Sequence, residues 1–88
     1  MKKIQTVVEV DGEGLEALMG KKVILFCANY FYTGKLEGVN ADFVKLEDPA
    51  IVYETGAFSN KSYTDEQKIG TKFHYVRIPF IESYGEAK

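Results

Sequence analysis

The run Lys22-Val23-Ile24-Leu25-Phe26-Cys27-Ala28 constrains this chain more than any other part of it. Val23, Leu25 and Cys27 alternate with Ile24, Phe26 and Ala28, so a strand here is apolar on both faces and both must be covered. A chain of 88 residues has room for one modest core, and a lone subunit of that size is marginally stable. Assembly is therefore expected from size and patterning alone.

Around this run the chain reads as short strands and tight turns. Residues 4–10, with Ile4, Thr6, Val7, Val8 and Val10, predict a strand closed by Asp11 and Gly12. Over residues 14–19, Leu15, Leu18 and Met19 fall at i, i+3 and i+4 before Gly20, which predicts a short helix with a glycine stop. Ala28-Asn29-Tyr30 reads as a hairpin turn, because asparagine enters the left-handed region cheaply, and Phe31 to Val39 reads as the returning strand. Gly34 and Gly38 lack a Cβ, which suits a bend or a close approach of backbones. After the turn Asn40-Ala41-Asp42 a third strand starts at Phe43. Pro49 cannot donate to a ladder and predicts an interruption, a bulge or an edge, before the strand resumes at Ile51. Residues 56–67 are rich in Ser, Asn, Lys, Thr and Asp and read as a long polar hairpin loop. Two last strands, residues 73–78 and 80–84, are separated only by Pro79, where the chain must turn a corner. The pattern predicts one all-β domain over residues 1–88, a small and strongly bent barrel.

Composition narrows the functional classes. Six Phe and six Tyr with no Trp favour strands over helices. A formal charge of -2 provides no broad basic field, so binding to nucleic acid requires a local patch. Cys27 is the only cysteine, which rules out an intramolecular disulfide and a multi-cysteine zinc site and fits a reducing compartment. No apolar run approaches the ~20 residues of a membrane span, and Met1-Lys2-Lys3-Ile4-Gln5 lacks the apolar segment of a signal peptide. A cytoplasmic protein with no membrane partner is expected. His74 is the lone histidine, no Ser/His/Asp grouping is suggested, and Cys27 sits in the most apolar strand, so neither an enzyme, a metal site nor a cofactor is expected.

The order of these residues resembles the Sm-like family. A short helix is followed by Gly20-Lys21-Lys22-Val23, then Tyr32-Thr33-Gly34-Lys35-Leu36, then Leu46-Glu47-Asp48, which is similar to the family's first motif from Leu15 to Asp48. Val76-Arg77-Ile78-Pro79-Phe80-Ile81 is a weaker match to the second motif. The resemblance implies a five-stranded, SH3-like open barrel with a short N-terminal helix, to which residues 4–10 and 56–67 are additions. It also implies a homo-oligomeric ring, closed where the last strand pairs with the fourth strand of a neighbouring copy. The interface would then include Phe73, Tyr75, Phe80, Ile81, Glu82 and Tyr84.

The same resemblance implies single-stranded, often uridine-rich RNA as the ligand, held at the turn between the second and third strands and the turn before the last. By position, Asn40 falls on the family's acidic turn residue and Arg77 on its arginine, while Asp42 and Phe43 occupy the base-contacting stretch. The first turn is one residue shorter than the family's, no asparagine falls in the pocket position, and Ile78 stands in place of a glycine. Plainer roles compete at each position. Asn40 and Asp42 are common turn formers, Phe43 can serve a core or interface, and Arg77 can bridge subunits in an ion pair. Two functions follow: a ring that binds single-stranded RNA, or a structural or protein-interaction ring without an RNA pocket.

Overall fold

The computed structural model describes residues 14–88, so the strand expected at residues 4–10 lies outside the described residues. The chain is all-β. Its strands are β1 (Lys22–Cys27), β2 (Phe31–Val39), β3 (Phe43–Glu54), β4 (Asp65–Lys68), β5 (Phe73–Arg77) and β6 (Ile81–Glu86). All pair antiparallel in one sheet ordered β4-β3-β2-β1-β6, with β5 also on β3. The sheet is open: β6 is joined to β1, and β4 and β5 are joined to β3 at the other end.

β1 is covered on both faces, as its sequence demands. Val23, Leu25 and Cys27 enter a main core with Leu36, Val44, Leu46 and Val76. Ile24 faces the other way into a second, smaller core with Val52 and Tyr63, flanked by Phe26, Phe31 and Ala87. The polar loop supplies Tyr63, so that loop is the cover of the strand's second face. The backbone N–H of Lys88 donates to the Tyr63 hydroxyl at 3.4 Å, and Ala87 N–H donates to the Lys22 carbonyl at 2.8 Å.

Several expectations are corrected. The helix expected over residues 14–19 is a single 3-10 turn, Leu15–Leu18. It runs from Gly14 at φ 83° without a side-chain cap, and so short a segment cannot offset the cost of nucleating an α-helix. Leu15 and Leu18 still pack on the main core. The third strand runs on from Phe43 to Glu54, and the bulge expected at Pro49 lies within it: Thr33 pairs with Ala50 and Lys35 with Glu47, so Asp48 and Pro49 together face Gly34. Asp48 adopts φ 53°, its N–H bonds the Lys72 carbonyl at 2.9 Å, and Pro49 is fully buried with its carbonyl accepting from Ile69 N–H at 2.9 Å. The polar loop is shorter than residues 56–67, because β4 begins at Asp65. Among the described residues there are six strands where the resemblance implies five. β4 and β5 together form one bent partner of β3: Ala50 pairs with Lys68 and Glu47 with Phe73, so residues 69–72 bulge opposite residues 48 and 49.

Other expectations hold. The hairpin at residues 28–30 is closed by Cys27 N–H to the Tyr30 carbonyl at 3.1 Å. Gly34 is a point of close approach, since a Cβ there would lie 2.9 Å from Leu46 Cβ and 3.1 Å from the Glu47 carbonyl oxygen. The corner at Pro79 is a second 3-10 turn, Ile78–Phe80.

Candidate nucleic-acid interface

The two turns singled out by sequence meet at one end of the sheet. Phe43 opens β3 directly opposite Arg77, the last residue of β5, and Ile78 N–H donates to the Asp42 carbonyl at 2.9 Å. Asn40, Asp42, Phe43 and Arg77 are thereby brought together. Within this cluster Asn40 is a turn former: its Oδ1 accepts from Asp42 N–H and Phe43 N–H, both at 2.8 Å. Asp42 contributes a backbone carbonyl. The exposed side chains left for a ligand are those of Phe43, Arg77 and Asp42, the last a carboxylate with no ion-pair partner among the described residues.

From that end a strip runs along the outer face of β3 and β5. Val44 and Leu46 point into the core, so Phe43, Lys45 and Glu47 point out, opposite Arg77, Tyr75 and Phe73 respectively. Lys45 Nζ lies 4.1 Å from the Phe73 ring centroid, Lys72 Nζ 5.3 Å from the same ring, and the Arg77 guanidinium 5.5 Å from the ring of Phe80. Phe43 and Tyr75 meet edge to face at 6.4 Å. Three cations interleaved with four aromatic rings thus share one surface, with Glu47 among them drawn toward Lys35 at 3.9 Å and Asp42 exposed at the end where the strip starts. Lys45 and Lys72 escaped sequence reasoning, and Phe73 was expected only at a subunit interface; the alternation of Lys45 with buried Val44 and Leu46 was the available signal.

Two grooves flank Tyr30 at the β1–β2 hairpin. One, of about 310 Å³, is lined by Cys27, Tyr30, Tyr32, His74, Arg77 and Phe80 among others. Tyr32 and His74 approach at 5.4 Å with planes 30° apart, so the lone histidine is a half-buried partner of a tyrosine. Burial pushes the Tyr32 hydroxyl above its ordinary pKa, with Cys27, Tyr30 and Tyr53 nearby adding to it. Burial likewise pushes the Cys27 thiol up, and Glu82 adds to it, so Cys27 stays a protonated, structural thiol. The other groove, of about 320 Å³, lies between Tyr30, Phe31, Val52, Tyr53 and Glu54.

The residues expected at a subunit interface are distributed as follows. Tyr75, Phe80 and Tyr84 are exposed aromatics, Glu82 is exposed, and Phe73 is half-buried under Lys45. Ile81 packs against the main core. Among the described residues no group of three His, Cys, Asp or Glu side chains is gathered as a metal site requires, and no helix is long and apolar enough to cross a membrane.

No protein-family model matches the chain, nor does any curated protein or solved structure. The site has to be interpreted through its own chemistry.

Proposed function

We propose that the chain is a binding module for single-stranded RNA, built on an Sm-like, SH3-like bent sheet that assembles into a homo-oligomeric ring. The observation that carries this is the strip of Phe43, Phe73, Tyr75 and Phe80 interleaved with Lys45, Lys72 and Arg77. Unpaired bases stack on aromatic faces, and phosphates pair with cations spaced between them, which is how single strands are held without a duplex groove. A duplex presents no base faces to such a strip. The meeting of the two turns at Phe43 and Arg77 supports a start of the RNA path there.

A second function, a structural or protein-interaction ring, is favoured by a different observation. The outer edges of β6 and of β4 and β5 have no strand partner among the described residues, and a groove of about 300 Å³ runs beside β6 between Leu15, Ile78 and Tyr84. Edges of this kind are templates for pairing with another chain.

Fluorescence anisotropy with short U-rich, A-rich and double-stranded oligonucleotides separates the two. Single strands should bind with a slope of log Kd against log salt of about 2 per subunit, the value for three phosphates at ~0.7 each. Arg77→Ala and Phe43→Ala should each weaken binding by about 1 to 3 kcal/mol. Single-strand affinity no better than ~100 µM at low salt, or equal affinity for duplex, would leave the protein-interaction ring as the function.

A further inference from the structure

Asp42 is out of keeping with the basic strip it adjoins. Its carboxylate is exposed and forms no ion pair among the described residues, although Arg77 stands across the ladder from the next residue, Phe43. The backbone of Asp42 is fixed from both sides: its N–H donates to Asn40 Oδ1 at 2.8 Å, and its carbonyl accepts from Ile78 N–H at 2.9 Å. The side chain takes part in neither bond. Beside it, Phe43 is 40% exposed and meets Tyr75 edge to face. Such a contact covers at most one face of one of its two rings, so Phe43 keeps a face that Tyr75 does not cover.

We propose that Asp42 makes the start of the strip select guanine, its carboxylate accepting from the N1–H and N2–H donors of a base stacked on Phe43. This rests on the strip being a single-strand site and names the base taken at its first position. Near phosphates a free carboxylate repels every strand alike, and only a base that donates to it offsets that repulsion. The four bases differ in what they offer. Guanine alone carries two adjacent donors on its Watson–Crick edge, which match the two oxygens of a carboxylate as an arginine fork does. Uracil offers one N–H between two carbonyls. Adenine and cytosine each set an amino group beside a ring-nitrogen acceptor, whose lone pair the carboxylate repels. Arg77, opposite Phe43, is left for the phosphate. The preference differs from the uridine-rich ligand that the sequence resemblance implies.

The test is fluorescence anisotropy with short U-rich single strands that carry guanosine, inosine, adenosine or uridine at one central position. Inosine lacks only the N2 amino group of guanosine. The guanosine strand should bind about tenfold more tightly than the uridine and adenosine strands, with inosine between them. Asp42→Ala should erase this preference and leave the all-uridine strand bound as before or more tightly. Asp42 is exposed and makes its contacts within the turn through its backbone, so the variant should keep the wild-type amide spectrum. Equal affinity for all four strands, or a guanosine preference that survives in Asp42→Ala, overturns the proposal and leaves the strip standing. No measurable binding of any strand overturns the strip and this proposal together. GMP as a competitor then separates the sources: weak displacement assigns guanine within a strand, and displacement as effective as that by the strand itself assigns a free guanine nucleotide.

Discussion

Glu66 is the residue at which three strands are tied together. It lies on β4, accepts a hydrogen bond from the Thr33 hydroxyl of β2, and meets Lys22 Nζ of β1 at 3.0 Å. Thr33 is fully buried, so its hydroxyl depends on that acceptor. Burial pushes the Glu66 carboxyl up, but the Thr33 hydroxyl, Lys22 and Lys68 together outweigh it and hold the pKa below the ordinary glutamate value. The sign follows from linkage. A depressed pKa contributes stability that is fully present above the unfolded-state value and is lost as pH falls through the folded-state value. Glu66→Gln should therefore cost about 1 kcal/mol at neutral pH and flatten the loss of stability on acidification. Urea unfolding of both proteins from pH 7 down to pH 3 measures this, and parallel curves would show that the ionised form contributes nothing.

At the scale of elements, the close contact of β2 with β3 is the tightest constraint. Gly34→Ala would force a Cβ to 2.9 Å from that of Leu46, whereas the same change at Gly38 meets Lys45 Cβ at an ordinary 3.9 Å. Gly34→Ala should destabilise by about 1 to 3 kcal/mol by overpacking, and Gly38→Ala should cost markedly less. Denaturant midpoints at unchanged slope decide it. Elements also show what sequence conveys. β1 was fully legible, because apolar residues on both faces admit few arrangements. The 3-10 turn was misread because Leu15, Leu18 and Met19 have helical spacing, and spacing carries no information about a segment too short to nucleate. β4 was illegible: Asp65-Glu66-Gln67-Lys68 has no strand propensity and is held extended by pairing with β3 and by the Thr33 and Lys22 contacts of Glu66. At the candidate site, Phe43 and Arg77 were legible through motif position. The convergence of Lys45, Lys72 and Phe73 was not, since it depends on the register of β3 against β5.

For the whole molecule, assembly turns on two edges. Cys27 pairs with Ile81 and Phe26 with Ser83, so Glu82 is the extra residue of a bulge and has no partner on β1. A proline is tolerated at such a position within the subunit, yet it removes a backbone donor from the last strand. If β6 joins a neighbouring copy, Glu82→Pro should convert the ring to smaller species while leaving the subunit folded, and Lys61→Pro in the loop should change nothing. Light scattering coupled to size exclusion reads the mass directly. A monomeric wild type would sink the ring, and an intact Glu82→Pro ring would remove β6 from the interface.

The second core has a consequence for the order in which the protein can be made. β1 precedes the other described strands, but the cover of Ile24 begins with Phe31 and Val52 and is completed only by Tyr63 and Ala87, and β1 is not flanked on both sides until β6 pairs with it. A nascent chain therefore carries its most apolar strand, with one edge and part of one face uncovered, until β6 has been made. Long-range closure of this kind slows folding and leaves incomplete chains prone to stick to one another. Chains stalled or cut before residue 81 should accordingly be substrates for chaperones and proteases, in a way that losses from the other end of the β1–β6 sheet are not bound to be.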